Sequence, residues 1–142
     1  MKRRRMTRES LDELAATMPI ISESELFDMI GEGGQTYYFD SYWGMVSFLS
    51  AHTMSPDYVE ASFFGFDDGT YAVYIDDFNE VQNSYFTRYP NQDGTYSLEP
   101  GGKTIVSRGH THIYSNEAST ADKNAWNGVP RYIFYSCILY SY

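Results

Sequence analysis

Apolar positions recur along this chain with two periods, and each period names an element. Between Asp40 and Pro56, Tyr42, Met45, Val46 and Leu49 recur at helical spacing, which predicts an amphipathic helix with Asp40 as its N-cap. The runs YVEASFFGF and TYAVYID are rich in aromatic and β-branched residues, and Asp67-Asp68-Gly69 between them reads as the turn of a hairpin. Further strand-like runs are SYFTRY, TYSLE after the turn PNQDG, and KTIVSRGHTH. Residues 119–126 read as a short helix stopped by Asn127, Gly128 and Pro130, and residues 131–142 as a last strand or strand pair. Strands flanked by helices predict an α/β (α+β) domain over residues 35–142, with helices covering a mixed β-sheet.

Residues 1–34 follow a different pattern. Leu11, Leu14, Ala15 and Met18 recur at helical spacing, and after Pro19 a capping box of Ser22 and Glu25 precedes Leu26, Phe27, Met29 and Ile30. Gly31, Gly33 and Gly34 end this second segment.

Composition narrows the class. With 42% apolar and 18% aromatic residues in 142, the chain belongs among globular proteins and is long enough for one cored domain. Five of its ten basic residues fall in the first eight positions, so the net charge of -9 hides a strongly acidic remainder. Such a surface repels phosphate backbones and anionic lipid, which argues against nucleic acid as a partner. No apolar stretch approaches the roughly 20 residues of a membrane span. Cys137 is the sole cysteine; it allows no internal disulfide and reads as a buried core residue in the run YIFYSCILYSY. Trp43 and Trp126 read as core or groove-lining aromatics, and His52 as a helix-end residue facing the dipole.

The chemistry concentrates at the end of KTIVSRGHTH. Two of the three histidines, His110 and His112, stand two apart on a strand, so both imidazoles leave the same face and can reach one metal ion. A third ligand has to come from another segment, and Asp122, in the first turn of the following helix, is placed to supply an oxygen. Two histidines and one carboxylate leave a fourth tetrahedral position for water, the arrangement of catalytic zinc, where the pKa of the bound water falls to about 7. Ser119 and Asp122 also read simply as a helix cap. Capping and ligation can coexist.

The segment HTHIYSNEASTAD resembles the JAMM signature of JAB/MPN metallopeptidases, a His-x-His pair followed after a short loop by Ser-x-x-Asp. The resemblance spans Tyr58 to Tyr142 and is nearest to bacterial JAB-like domains. It implies a three-layer, cytidine-deaminase-like architecture with Zn2+ held by His110, His112 and Asp122. It also implies Ser119 at the oxyanion or the zinc-bound water, and an upstream glutamate as general base. Glu60 in VEASFFGF matches that glutamate best, with Asp57, Asp67 and Asp68 as competitors. Six residues, Ile113 to Ala118, separate the second histidine from the serine, one fewer than is usual in the family, and Ile113 stands where a proline is common.

The stretch ESLDELAATMPIISESELFDMIGEGG resembles the double-glycine leaders of exported bacterial peptides and small proteins. This implies removal of residues 1–34 by a leader-processing exporter and release of the mature domain from a bacterium. An ordinary helical hairpin with a glycine linker, on a cytoplasmic protein, is the alternative. The expected function is zinc-dependent hydrolysis of an amide bond in a peptide or protein by a peptidase or isopeptidase. The alternatives are hydrolysis of a non-peptide amide, and an exported interaction or toxin-like protein that keeps the JAB scaffold without catalysis.

Overall fold

The computed structural model describes residues 34–142; the two amphipathic segments and the leader-like reading of the N-terminus lie outside the described residues. The elements are β1 (Gln35–Phe39), α1 (Tyr42–Thr53), β2 (Ser62–Phe66), β3 (Tyr71–Ile75), β4 (Tyr89–Pro90), β5 (Tyr96–Ser97), β6 (Ile105–Thr111), α2 (Thr120–Asn124), β7 (Arg131–Tyr135) and β8 (Ile138–Ser141). Six strands form one sheet in the order β1-β3-β2-β6-β7-β8, and β4 pairs with β5 in a separate two-stranded ribbon. Every neighbouring pair in the main sheet is antiparallel except β6 and β7, which run parallel. The fold is therefore α+β with a mixed sheet. No helix among the described residues is long and apolar enough to cross a membrane.

Strand alternation divides the core in two. Phe63, Val73 and Phe134 face one side with Met45 and Leu49 of α1, while Phe64, Ala72 and Ile105 face the other with Phe66 and partly buried Phe86, Tyr96 and Trp126. Every residue of β2 is buried because both faces of this central strand are covered, which explains its near-continuous apolar run SFFGF. The second face is covered by the irregular excursion holding Phe86, Tyr96 and Leu98 rather than by a packed helix. The hairpin between β2 and β3 turns at Asp67-Asp68-Gly69: Phe66 N–H donates to Thr70 carbonyl at 2.9 Å, and Gly69 adopts a φ of 82° that a side chain would strain.

Several sequence expectations are corrected. The N-cap of α1 is Ser41, whose hydroxyl accepts Gly44 N–H at 3.1 Å, because β1 runs up to Phe39 and leaves Asp40 in the bend before the cap. β1 itself, QTYYF, went unanticipated; it pairs with β3 as an edge strand. SYFTRY forms no strand, since its backbone folds across the second core and only Tyr89 and Pro90 pair, with Ser97 and Tyr96. Cys137 is exposed rather than buried: Tyr135 pairs with Ile138, and Ser136 and Cys137 form the two-residue turn with φ values of 51° and 64°. Both positive angles define the tight hairpin turn whose twist matches its strands. Trp43 is 72% exposed, on the outer side of α1, whereas Trp126 is half-buried in the second core.

Gly109 shows how closely the strands meet beside the histidines. A Cβ there would press into the ring of Phe63 and come within 2.6 Å of the Tyr132 carbonyl, its neighbours on either side. Gly109→Ala is expected to destabilise the fold by about 1–3 kcal/mol through overpacking, measured as a lowered denaturation midpoint in urea.

Candidate metal centre

β6 ends where the chain leaves the sheet and crosses over, through α2, to the parallel strand β7. The carboxyl end of a strand at such a crossover is where open sheets gather ligands, and it is where His110 and His112 stand. His110 lies opposite Ser62 on β2, and Thr111 between the histidines points to the other face. The crossover then brings α2 back with its first turn toward the two rings.

Three ligand atoms converge. His110 Nε2 and His112 Nε2 are 2.9 Å apart, and Asp122 Oδ2 lies 3.3 Å from the first and 3.6 Å from the second. A tetrahedron with metal–ligand bonds of about 2.0–2.1 Å has edges of about 3.3 Å, so the three atoms lie close enough together to share one metal ion. His112 Nδ1–H donates to the Ser115 carbonyl at 3.1 Å, which leaves the Nε2 lone pair directed at the site. Ser119 N–H donates to Asp122 Oδ2 at 2.8 Å while Ser119 Oγ accepts Asp122 N–H at 3.1 Å. The capping box of α2 and the aim of the carboxylate are thus one arrangement. Nitrogen, nitrogen and carboxylate oxygen form a donor set suited to Zn2+, and the group His110, His112 and Asp122 fits such an ion.

Glu60 lies two residues ahead of β2 rather than on a half-exposed strand, and it is buried at 6% exposure. Its backbone N–H donates to the Glu80 carbonyl at 2.7 Å, its carbonyl accepts Asn79 Nδ2 at 2.8 Å, and Ser84 Oγ donates to its Oε1 at 3.3 Å. Burial pushes its carboxyl up to about 7; the field of His110 and the Ser84 hydrogen bond oppose this, and the negative charge of Asp122 reinforces it. A carboxyl poised near neutrality exchanges protons readily. Burial works against the charge of Asp122 too, yet the hydrogen bonds from His110 and from Ser119 N–H hold it far below the usual carboxylate range. Burial, with the neighbouring His110, lowers His112. Asp122 therefore stays ionised and His112 neutral at pH 7, the states that ligation needs.

A cleft of about 290 Å³ opens beside these groups, with Glu60, His112, Ser119 and Asp122 along its wall. The competing acids lie elsewhere: Asp67 and Asp68 occupy the β2–β3 turn, where Asp68 pairs with Lys103 at 2.9 Å, and Asp57 does not line the cleft. His52 is held by the fold, its Nε2–H donating to the Val59 carbonyl at 2.6 Å.

Three supporting residues were not singled out from sequence. Asn79 and Ser84 hold Glu60 in place, and their signal, two small polar residues in an irregular loop, is too common to read. The facing of Thr111 was legible in principle, because alternation sets the residue between two same-face histidines on the opposite face of the strand. Thr111 is fully buried; its hydroxyl accepts Ala61 N–H at 2.9 Å and lies 2.7 Å from the Tyr58 hydroxyl. Thr111→Val leaves the buried Ala61 N–H without its acceptor, while the Tyr58 hydroxyl keeps the Thr111 carbonyl at 3.2 Å, and is expected to cost about 1–3 kcal/mol, measured by chemical denaturation of metal-free protein.

Compared with family models, with curated proteins and with solved structures, the chain shows no match.

Proposed function

We propose that the chain is a zinc-dependent hydrolase of amide bonds in peptides or proteins, with a JAB/MPN-like arrangement of sheet, ligands and base. The observation that carries this is the convergence of His110, His112 and Asp122 into a triangle close enough to share one metal ion, with buried Glu60 on the wall of the same cleft. A zinc ion bound there supplies Lewis acidity and lowers the pKa of coordinated water to about 7.

The chain's own residues do the rest. Asp122 brings one negative charge to the donor set and is kept in place by Ser119 N–H. His112 is fixed as the right tautomer by the Ser115 carbonyl. Glu60 accepts a proton at its carboxylate as water attacks the carbonyl and returns it to the departing nitrogen, which a group titrating near 7 does in both directions. The oxygen of Ser119 is engaged by Asp122 N–H, so its hydroxyl hydrogen is the part that donates to a developing oxyanion in the cleft.

The test combines metal and turnover. Purified protein is expected to bind one zinc per chain, measured by isothermal titration and elemental analysis. Loaded protein is expected to generate new termini in a proteome-derived peptide digest followed by mass spectrometry. Sub-stoichiometric zinc overturns the reading outright, and full zinc occupancy without cleavage of peptide or isopeptide bonds leaves a metal-binding scaffold instead of a peptidase.

A further inference from the structure

We infer that the cleft beside the metal centre selects peptide segments carrying an apolar side chain next to a positively charged one, through Val81 and Tyr114 on its two walls and Glu117 at its mouth. This rests on the peptide-hydrolase reading for its purpose, though not for its test.

The walls come from two loops, and each is tied to a residue of the centre. The 80–83 turn is closed by Glu80 N–H donating to the Asn83 carbonyl at 2.8 Å, and Glu80 in turn accepts Glu60 N–H at 2.7 Å. Asn79, almost wholly buried, bonds the Glu60 carbonyl at 2.8 Å on one side and Tyr85 N–H at 2.6 Å on the other. The facing loop is held by His112 through the Ser115 carbonyl at 3.1 Å. Both walls are therefore fixed relative to the ligands and base, which is the condition for a contact on a wall to position a bond at the centre.

Those walls present apolar surface to solvent. Val81 is 42% exposed and Tyr114 is 70% exposed, and both line the cleft. Such side chains gain most by covering an apolar group of a ligand. Charge sets the second preference. Glu60, Glu117 and Asp122 line the cleft, and no lysine or arginine does. A bound dication is met by the charges of Asp122 and Glu60, so Glu117, which has no ion-pair partner among the described residues, is left to act on the ligand. The domain over residues 35–142 carries 12 acidic and 5 basic side chains and adds a field of the same sign. An acidic peptide is repelled twice, and a cationic apolar one is matched on both counts.

A positional-scanning hexapeptide array probed with labelled protein, zinc-loaded and metal-free, reads this directly. Lysine or arginine beside leucine or phenylalanine is expected to enrich roughly ten-fold over aspartate beside serine. Val81→Ser with Tyr114→Ser should flatten the apolar preference, and Glu117→Lys should reverse the charge preference. All three positions are exposed, and unchanged circular dichroism melting verifies the fold. An array without enrichment, enrichment of acidic peptides, or a preference untouched by these substitutions overturns the inference. Binding with the expected preference but no cleavage leaves it standing and removes only the peptidase reading.

Discussion

Asp122→Asn protein is expected to lose zinc affinity by more than about 100-fold and to remain folded without metal, though less stable at pH 7 because the ionised carboxylate's bonds to His110 and Ser119 are weakened. Loss of a partner that only orients a ligand costs about 10–100-fold, and Asp122 is placed to bond the ion itself. Its two duties separate cleanly. An asparagine oxygen still accepts Ser119 N–H, now made at 2.8 Å, so the cap survives with its geometry while the anionic donor is gone. Asp122→Ala removes both, adding about 1 kcal/mol of lost capping to the lost affinity. Zinc at 100 times its dissociation constant stabilises a folded chain by about 2.7 kcal/mol, so the native protein should melt higher with zinc and the Asp122→Asn protein should not. Combining Asp122→Asn with His110→Ala should add little, since a site already missing one of three ligands has little left to lose. Native-like zinc binding by Asp122→Asn would remove the carboxylate from the centre, and with it the three-ligand set on which the hydrolase reading depends.

The chain made some of this legible and hid the rest for physical reasons. His110 and His112 could be placed on one face from their spacing alone, because a strand alternates without exception unless it bulges, and β6 bulges only further back, opposite Gly65 and Phe66. The hairpin at Asp67-Asp68-Gly69 was equally plain, since its glycine meets a backbone demand local to the turn. What failed depended on distant partners. Cys137 looks buried in an apolar run, yet the fold reverses that run at Ser136-Cys137, where β7 turns back to pair with β8. SYFTRY has strand composition, but Phe86 and Arg88 are spent on the second core, where Arg88 stacks over Tyr96 at 4.3 Å and Trp126 at 4.7 Å. Glu60 is legible only as the match to the family's upstream glutamate; the bonds that hold it, from Asn79 and Ser84, come from a distant loop that its own neighbours do not announce. Trp43 reads as core or groove-lining from its size and apolarity, yet it lies off the face set by Met45 and Leu49, which the helical spacing did identify.

Glu60→Gln should still bind one zinc per chain, with a modest loss of affinity, depress amide hydrolysis by about 10²–10⁴-fold, and stabilise the metal-free protein at alkaline pH. The last effect follows from the direction of its shift. Burial raises the carboxyl from its ordinary 4.5 to about 7, so the folded chain holds a proton that the unfolded chain has already released. The contribution to stability is present in full below pH 4.5 and is lost as pH rises through 7. Across that window the native, metal-free chain should lose about 2–3 kcal/mol relative to Glu60→Gln, whose amide never ionises. Zinc should narrow the gap, because a dication next to Glu60 favours its charged form. Urea denaturation of both proteins in chelator at pH 4.5, 6 and 8 measures this: parallel stabilities across the series would mean that Glu60 is not held protonated, and an unchanged rate of hydrolysis would take it out of proton transfer. If both effects appear, the same desolvation that makes Glu60 costly to bury gives it a proton affinity matched to neutral pH, and the fold carries the cost of that match in its stability.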